Sequence, residues 1–202
     1  MAAGAGNSEL VAYLLDKGAM VDAQSFSRET AVQAAARNGH QAIVERLIEA
    51  GADLNHQDGH GDNTANKAAE HGHLETLKLL LDKGAKIENV NIFEWTPLHE
   101  AAANGHVEVV RLLLERGADI NKVADKGRTA LHLAAEKGHS EVGRVLIEAG
   151  RLPHENEATA RFQRLAGRAT VPANDRTNVR SSGGSACRSR PDTTESSPPR
   201  AT

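Results

Sequence analysis

Residues 96–119 read Thr96-Pro97-Leu98-His99-Glu100-Ala101-Ala102-Ala103-Asn104-Gly105-His106-Val107-Glu108-Val109-Val110-Arg111-Leu112-Leu113-Leu114-Glu115-Arg116-Gly117-Ala118-Asp119. Thr96 is placed to cap a helix with its hydroxyl, and Pro97 fits the first helical turn, where an amide proton would lack a partner anyway. The alanines after them let a thin helix pack closely, and Gly105 stops it, because glycine accepts the left-handed conformation used at helix ends. A second helix is predicted from Val107, with apolar residues at helical spacing and Glu108, Arg111 and Glu115 on the other face. It ends at Gly117. The polar stretch 118–128, which holds Asp125 and Gly127, is too short for a further helix and reads as a hairpin-like finger. One unit is therefore finger, helix, turn, helix.

The unit recurs. Gly18-Ala19, Gly51-Ala52, Gly84-Ala85 and Gly117-Ala118 are spaced by about 33 residues, and Gly150 falls on the next beat. Ala35-Ala36, Ala68-Ala69, Ala101-Ala102 and Ala134-Ala135 keep the same frame, each followed by Gly-His at Gly39, Gly72, Gly105 and Gly138. Thr129-Ala130-Leu131-His132 stands where Thr96-Pro97-Leu98-His99 stands one period earlier. This series of Thr-Pro-Leu-His, Ala-Ala, Gly-His and Gly-Ala-Asp resembles the ankyrin-repeat family over roughly the first three quarters of the chain. The resemblance implies an all-α solenoid, helix-turn-helix repeats joined by β-hairpin-like fingers.

No unit of this kind buries its apolar stripe alone, so stacked neighbours must supply a common core. Full repeats are expected at residues 24–55, 57–88, 90–121 and 123–150, after a partial one, which makes a repeat domain of residues 1–152. Aromatic residues are only 2% of the chain, so that core is built from Ala, Leu, Val and Ile. The frame places residues 1–7 inside the first helix of a repeat with no finger before it. That start is expected of a fragment of a longer array, with a native half-repeat cap as the alternative.

Three departures from the pattern carry expectations. Asn63-Thr64-Ala65-Asn66 lacks the proline and leucine of its neighbours and is expected to be a soft point. Gly143 occupies the helical column of Val44 and Val110, at a cost of about 1 kcal/mol in propensity, so the last repeat should fray first. Arg28 and Glu94 stand in the finger column of Gly61 and Gly127, where a positive φ would strain them.

Ten histidines invite a metal reading, with His56, His60, His71 and His73 the closest groupings. But His40, His73, His106 and His139 form one repeated column, and His99 and His132 another, so these read as hydrogen-bonding ties between helices and fingers. His56, His60 and His71 read as solvated loop residues. The sequence has no paired-cysteine metal motif, phosphate loop or serine elbow. No catalytic, cofactor-binding or metal site is therefore expected.

Charge divides the chain. After Gly150 nine Arg, no Lys and five acids leave the tail at +4 and the body at −7. An acidic body disfavours nucleic acid, and the basic residues of the tail are diluted by Ser, Thr and Pro. Ala158, Phe162 and Leu165 have helical spacing, so residues 153–166 are expected to form a capping helix. Residues 167–202 have the composition of a disordered tail, and a shifted reading frame is a further source of the abrupt change. The single Cys187 allows no internal disulfide, no apolar run is long enough to span a bilayer, and residues 1–7 do not resemble a signal peptide. A monomer in the cytoplasm or nucleus is expected, without cofactor or membrane contact.

In the ankyrin family partners usually dock on fingertips and on the exposed face of the first helices. The resemblance thus implies a non-catalytic scaffold or adaptor for a protein partner; a piece of a larger ankyrin-containing enzyme or sensor is the alternative. In the third finger, Ile92, Phe93 and Trp95 place large apolar side chains where solvent should be and read as the anchor of binding. For Trp95, packing against the neighbouring finger is the competing reading. Around them Phe26, Glu29, Arg37, Asn38, His60, Asp62, Glu70, His71, Ala103, Asn104, Asp125, Lys126, Arg128, Glu136 and Lys137 are expected to form a mostly polar rim.

Overall fold

The computed structural model describes residues 2–150. Expectations for residues 153–166 and 167–202 lie outside them. Among the described residues the regular elements are nine α-helices and one short 3-10 turn at Asp125–Gly127, with no strands. In chain order they are α1 Ser8–Asp16, α2 Ala31–Arg37, α3 Gln41–Glu49, α4 Thr64–Glu70, α5 Leu74–Asp82, α6 Pro97–Asn104, α7 Val107–Glu115, α8 Ala130–Lys137 and α9 Ser140–Gly150. The helices α2, α4, α6 and α8 stack in one row, and α1, α3, α5, α7 and α9 in a second row behind it.

The core between the rows is made of repeated small and branched residues. Ala35, Ala68, Ala101 and Ala134 are buried between first helices, and Leu47, Leu80, Leu113 and Leu146 fill the same column of the second helices. Removing these stripes from water drives the stacking, because a single unit has nothing else to cover them. Gly143 takes the place of a buried Val in α9 and is itself buried.

At the start of the described chain the structure differs from the expected helix: residues 2–6 form turns, and α1 begins only where Asn7 caps it through Leu10 N–H at 2.9 Å. Only Val11 of α1 is buried, while Leu10, Tyr13, Leu14 and Met20 are exposed.

In the second repeat polar side chains take up the bonds at the helix start. Asn63 Oδ1 accepts from Asn66 N–H at 3.0 Å, and Asn63 Nδ2 donates to the Lys86 carbonyl at 3.0 Å. Thr64 Oγ1 donates to the Leu54 carbonyl at 2.8 Å. Thr64, in the place of the usual proline, is thus buried and hydrogen-bonded, as are Asn63 and Asn66 on either side, and Ala65, in the place of the leucine, is fully buried. A polar group removed from water costs little once its partner is supplied.

The histidine column works differently from the expected link to fingers. His40, His73, His106 and His139 each lie across a repeat boundary, and Nε2 donates to a carbonyl 36 residues earlier, that of Gly4, Arg37, Glu70 and Ala103 respectively. They tie one helix turn to the preceding one. Glycine is required beneath the ring, since a Cβ on Gly39 would lie 2.6 Å from His73 Nδ1. The other column does reach the fingers. Gln33 Nε2 donates to the carbonyls of His56 and Asp62 at 3.0 and 2.7 Å, and Asn66 Nδ2 donates to that of Trp95 at 3.3 Å. In His99 a backbone N–H, that of Thr96, points at Nδ1 from 3.2 Å, so Nδ1 accepts and the ring proton sits on Nε2, facing the Lys122 and Arg128 backbone.

Candidate binding surface on the third finger

Each finger is a tight turn closed on itself. Ser25, Asp58, Asn91 and Ala124 N–H donate to the carbonyls of Glu29, Asp62, Trp95 and Arg128, at 2.9, 3.1, 3.1 and 2.7 Å. In the third finger Asn91 Oδ1 accepts from Phe93 N–H and Trp95 N–H at 3.0 Å each, an Asx-type turn that fixes the tip. Adjacent fingers are laced by Gly59 N–H to the Ser27 carbonyl, Ile92 N–H to that of His60 and Asp125 N–H to that of Phe93. Pairing of this kind holds the tips in a row without forming a sheet. As the column predicts, Arg28 and Glu94 have φ of 59° each, and Lys126 has a φ of 58° beside Gly127. Three non-glycine residues on fingertips are thus left-handed.

Ile92 is 62% exposed and Phe93 51%. Trp95 is half-buried, its ring tilted against Phe93 with centroids 6.4 Å apart and Arg128 placed 5.7 Å over its face. It packs sideways on the next finger and also walls a recess of about 540 Å³. This recess lies between the second, third and fourth fingers and the helices α4 and α6.

Of the surrounding residues, Phe26, Asn38, His60, His71, Asn104, Lys126, Glu136 and Lys137 are exposed, and Arg37, Glu70, Asp125 and Arg128 are half-buried. Three expected rim residues are not on the surface. Glu29 is buried against Arg37 at 3.4 Å, because its column turns inward toward α2. Asp62 is buried in an ion pair, and Ala103 is buried in the stack of first helices. Phe26 belongs to the first finger and does not line the recess.

The floor of the recess holds residues that the sequence reading passed over. Lys67 Nζ lies 2.8 Å from Asp62 and 2.9 Å from Asp58, and Asn91 Nδ2 donates to Asp62 Oδ1 and Glu100 Oε1 at 3.0 and 2.9 Å. Burial pushes the Glu100 carboxyl up to about 8, helped by the nearby charges of Asp62 and Glu70. Burial works against the Asp58 carboxylate, but Lys67 and the N–H groups of His60 and Asp62 outweigh it and hold the group below its ordinary value. Lys67 is moved upward: burial opposes its charge, and the two aspartates overcome that. The signal was present in the repeat. Ala34, Lys67, Glu100 and Leu133 share one column, buried in all four repeats, and two of its members are charged. Charges in a buried column require partners.

Among the described residues no group of three or more His, Cys, Asp or Glu side chains has the arrangement of a metal site. His71 and His73 stack at 6.2 Å, and His56 Nε2 donates to the Arg28 carbonyl at 2.9 Å rather than standing free in solvent. No helix of the described residues is long and apolar enough to cross a membrane.

A family profile described as "Ankyrin repeats (3 copies)" matches residues 1–58 and 65–157. No curated protein matches the sequence.

Proposed function

The chain belongs to the ankyrin-repeat family, and on that premise we propose that it is a non-catalytic scaffold or adaptor that docks a protein partner on its third finger and on the concave face behind it. Ankyrin repeats are generally protein-interaction modules. The observation that carries the reading is the pair Ile92 and Phe93, held in solvent at the mouth of a recess walled by Trp95. A fixed turn presents them, so little backbone freedom is lost on binding, and large side chains of this kind dominate interface energies. The half-buried Arg128, Asp125 and Glu70 and the exposed His60 and Lys126 supply the polar border. The protein acts as a monomer inside the cell, in cytoplasm or nucleus, without cofactor, nucleic acid or membrane.

The test is a purified partner, recovered with the full chain as bait and measured by calorimetry. Replacing Phe93 and Trp95 together by Ala should weaken it by about 2 kcal/mol or more, with the helical signal retained. Because Trp95 also packs on Arg128 and Phe93, the double variant Ile92→Ser/Phe93→Ser serves as the gentler probe. Undiminished affinity in both variants sinks the assignment. Loss of helicity in the first alone returns Trp95 to the core.

A further inference from the structure

The recess is chemically lopsided. Counting Asp58 behind Lys67, five carboxyl groups meet three cations. Lys67 is held between Asp58 and Asp62, and Arg128 between Asp125 at 3.1 Å and Glu136 at 3.7 Å. Glu70 has only the His71 imidazole, at 3.7 Å, as an ionic neighbour among the described residues. Glu100 has none. It is 8% exposed, its Oε1 accepts from Asn91, and no described residue donates to its Oε2. A side chain more than nine-tenths buried thus lines the recess with its Oε2 free of protein donors and open to the recess.

We propose that this recess receives a lysine or arginine side chain from the docked partner, its charged end bonded to Glu100 and Glu70 and its stem laid against Phe93 and Trp95. The inference rests on the fingertip reading above and names the class of partner segment: a basic residue next to an apolar one. Asn91 holds Glu100 on the wall of the recess, and a cation there favours the ionised carboxylate that burial, Asp62 and Glu70 otherwise disfavour. The aromatic wall accepts a cation, since the guanidinium of Arg128 already lies over the Trp95 ring. An acidic partner segment would meet only Lys126 as an unpaired cation and would face the carboxylates behind it.

Random 12-residue peptides displayed on phage and selected on the full chain, with depletion on the Phe93→Ser variant, test this. The selected peptides should carry a Lys or Arg beside an apolar residue. Changing that residue to Gln should weaken binding at least about tenfold, as should Glu100→Gln in the protein, whose carbonyl still accepts from Asn91. Glu70→Gln is the second variant should Glu100→Gln alter the circular dichroism. Peptides that need Phe93 but are neutral or acidic, or that bind Glu100→Gln as well as the parent, overturn the inference and leave the fingertip surface standing. Failure to select any peptide that needs Phe93 overturns both.

Discussion

Glu100 decides the pH behaviour of the recess floor. Its folded value of about 8 stands above the ordinary 4.5, so between these values the folded chain holds a proton that the unfolded chain releases. Its contribution is full below about 4.5 and is lost as pH rises through 8. Glu100→Gln should therefore raise the melting temperature more at pH 9 than at pH 5, with Asp62, Lys67, Glu70 and Asn91 left in place around it. An equal gain at both values would mean that the carboxyl is ionised throughout. Asp58 has the opposite sign: its folded value lies below 3.8, so the stability it adds is present above that value and is lost as pH falls through the lowered one. On the fingertips Glu94 is left-handed where Gly61 and Gly127 stand in sister repeats. Glu94→Gly should stabilise the fold by about 1 kcal/mol in urea unfolding, since a left-handed non-glycine residue costs roughly that. Destabilisation instead would show that the Glu94 side chain contributes more than its backbone loses.

The helix α4 shows where sequence reasoning and packing part company. Read against Thr-Pro-Leu-His, Asn63-Thr64-Ala65-Asn66 loses both a favoured first-turn residue and an apolar anchor. In the fold Asn63 caps its own helix and reaches the Lys86 carbonyl, and Asn66 reaches the next finger. Asn63→Ala should cost about 1–2 kcal/mol in denaturant unfolding, the range of a lost cap. A change near zero would bear out the reading of α4 as a soft element. The helices and their ends were legible because glycine, alanine and threonine recur at fixed offsets, and the exposure of Ile92 and Phe93 because a polar finger is too short to bury large apolar side chains. The burial of Glu29 and Asp62 and the cluster around Lys67 were not, because each depends on which way a finger turns over its neighbour. That direction is fixed by bonds reaching 23 to 29 residues ahead, such as those of Gln33 and Asn66.

Across residues 2–150 stability follows from nearest-neighbour stacking, so the order of local opening should follow how much each helix buries. The sequence points to the last repeat, where Gly143 removes a valine from α9. That helix nevertheless buries Val142, Val145 and Leu146. The helix α1 buries only Val11 and leaves Leu10, Tyr13 and Leu14 in solvent. The helices α4 and α6 sit between two neighbours each in the row of first helices, and almost every residue of both is buried. Hydrogen exchange on the full chain should therefore release the amides of α1 first, those of α9 next, and those of α4 and α6 last. Gly143→Ala should slow α9 without touching α1, because a stacked array transmits stability mainly to the adjoining repeat. Simultaneous exchange of all these helices would mean that the array opens as one cooperative unit. In that case a substitution in α9 would protect α1 as much as α9 itself.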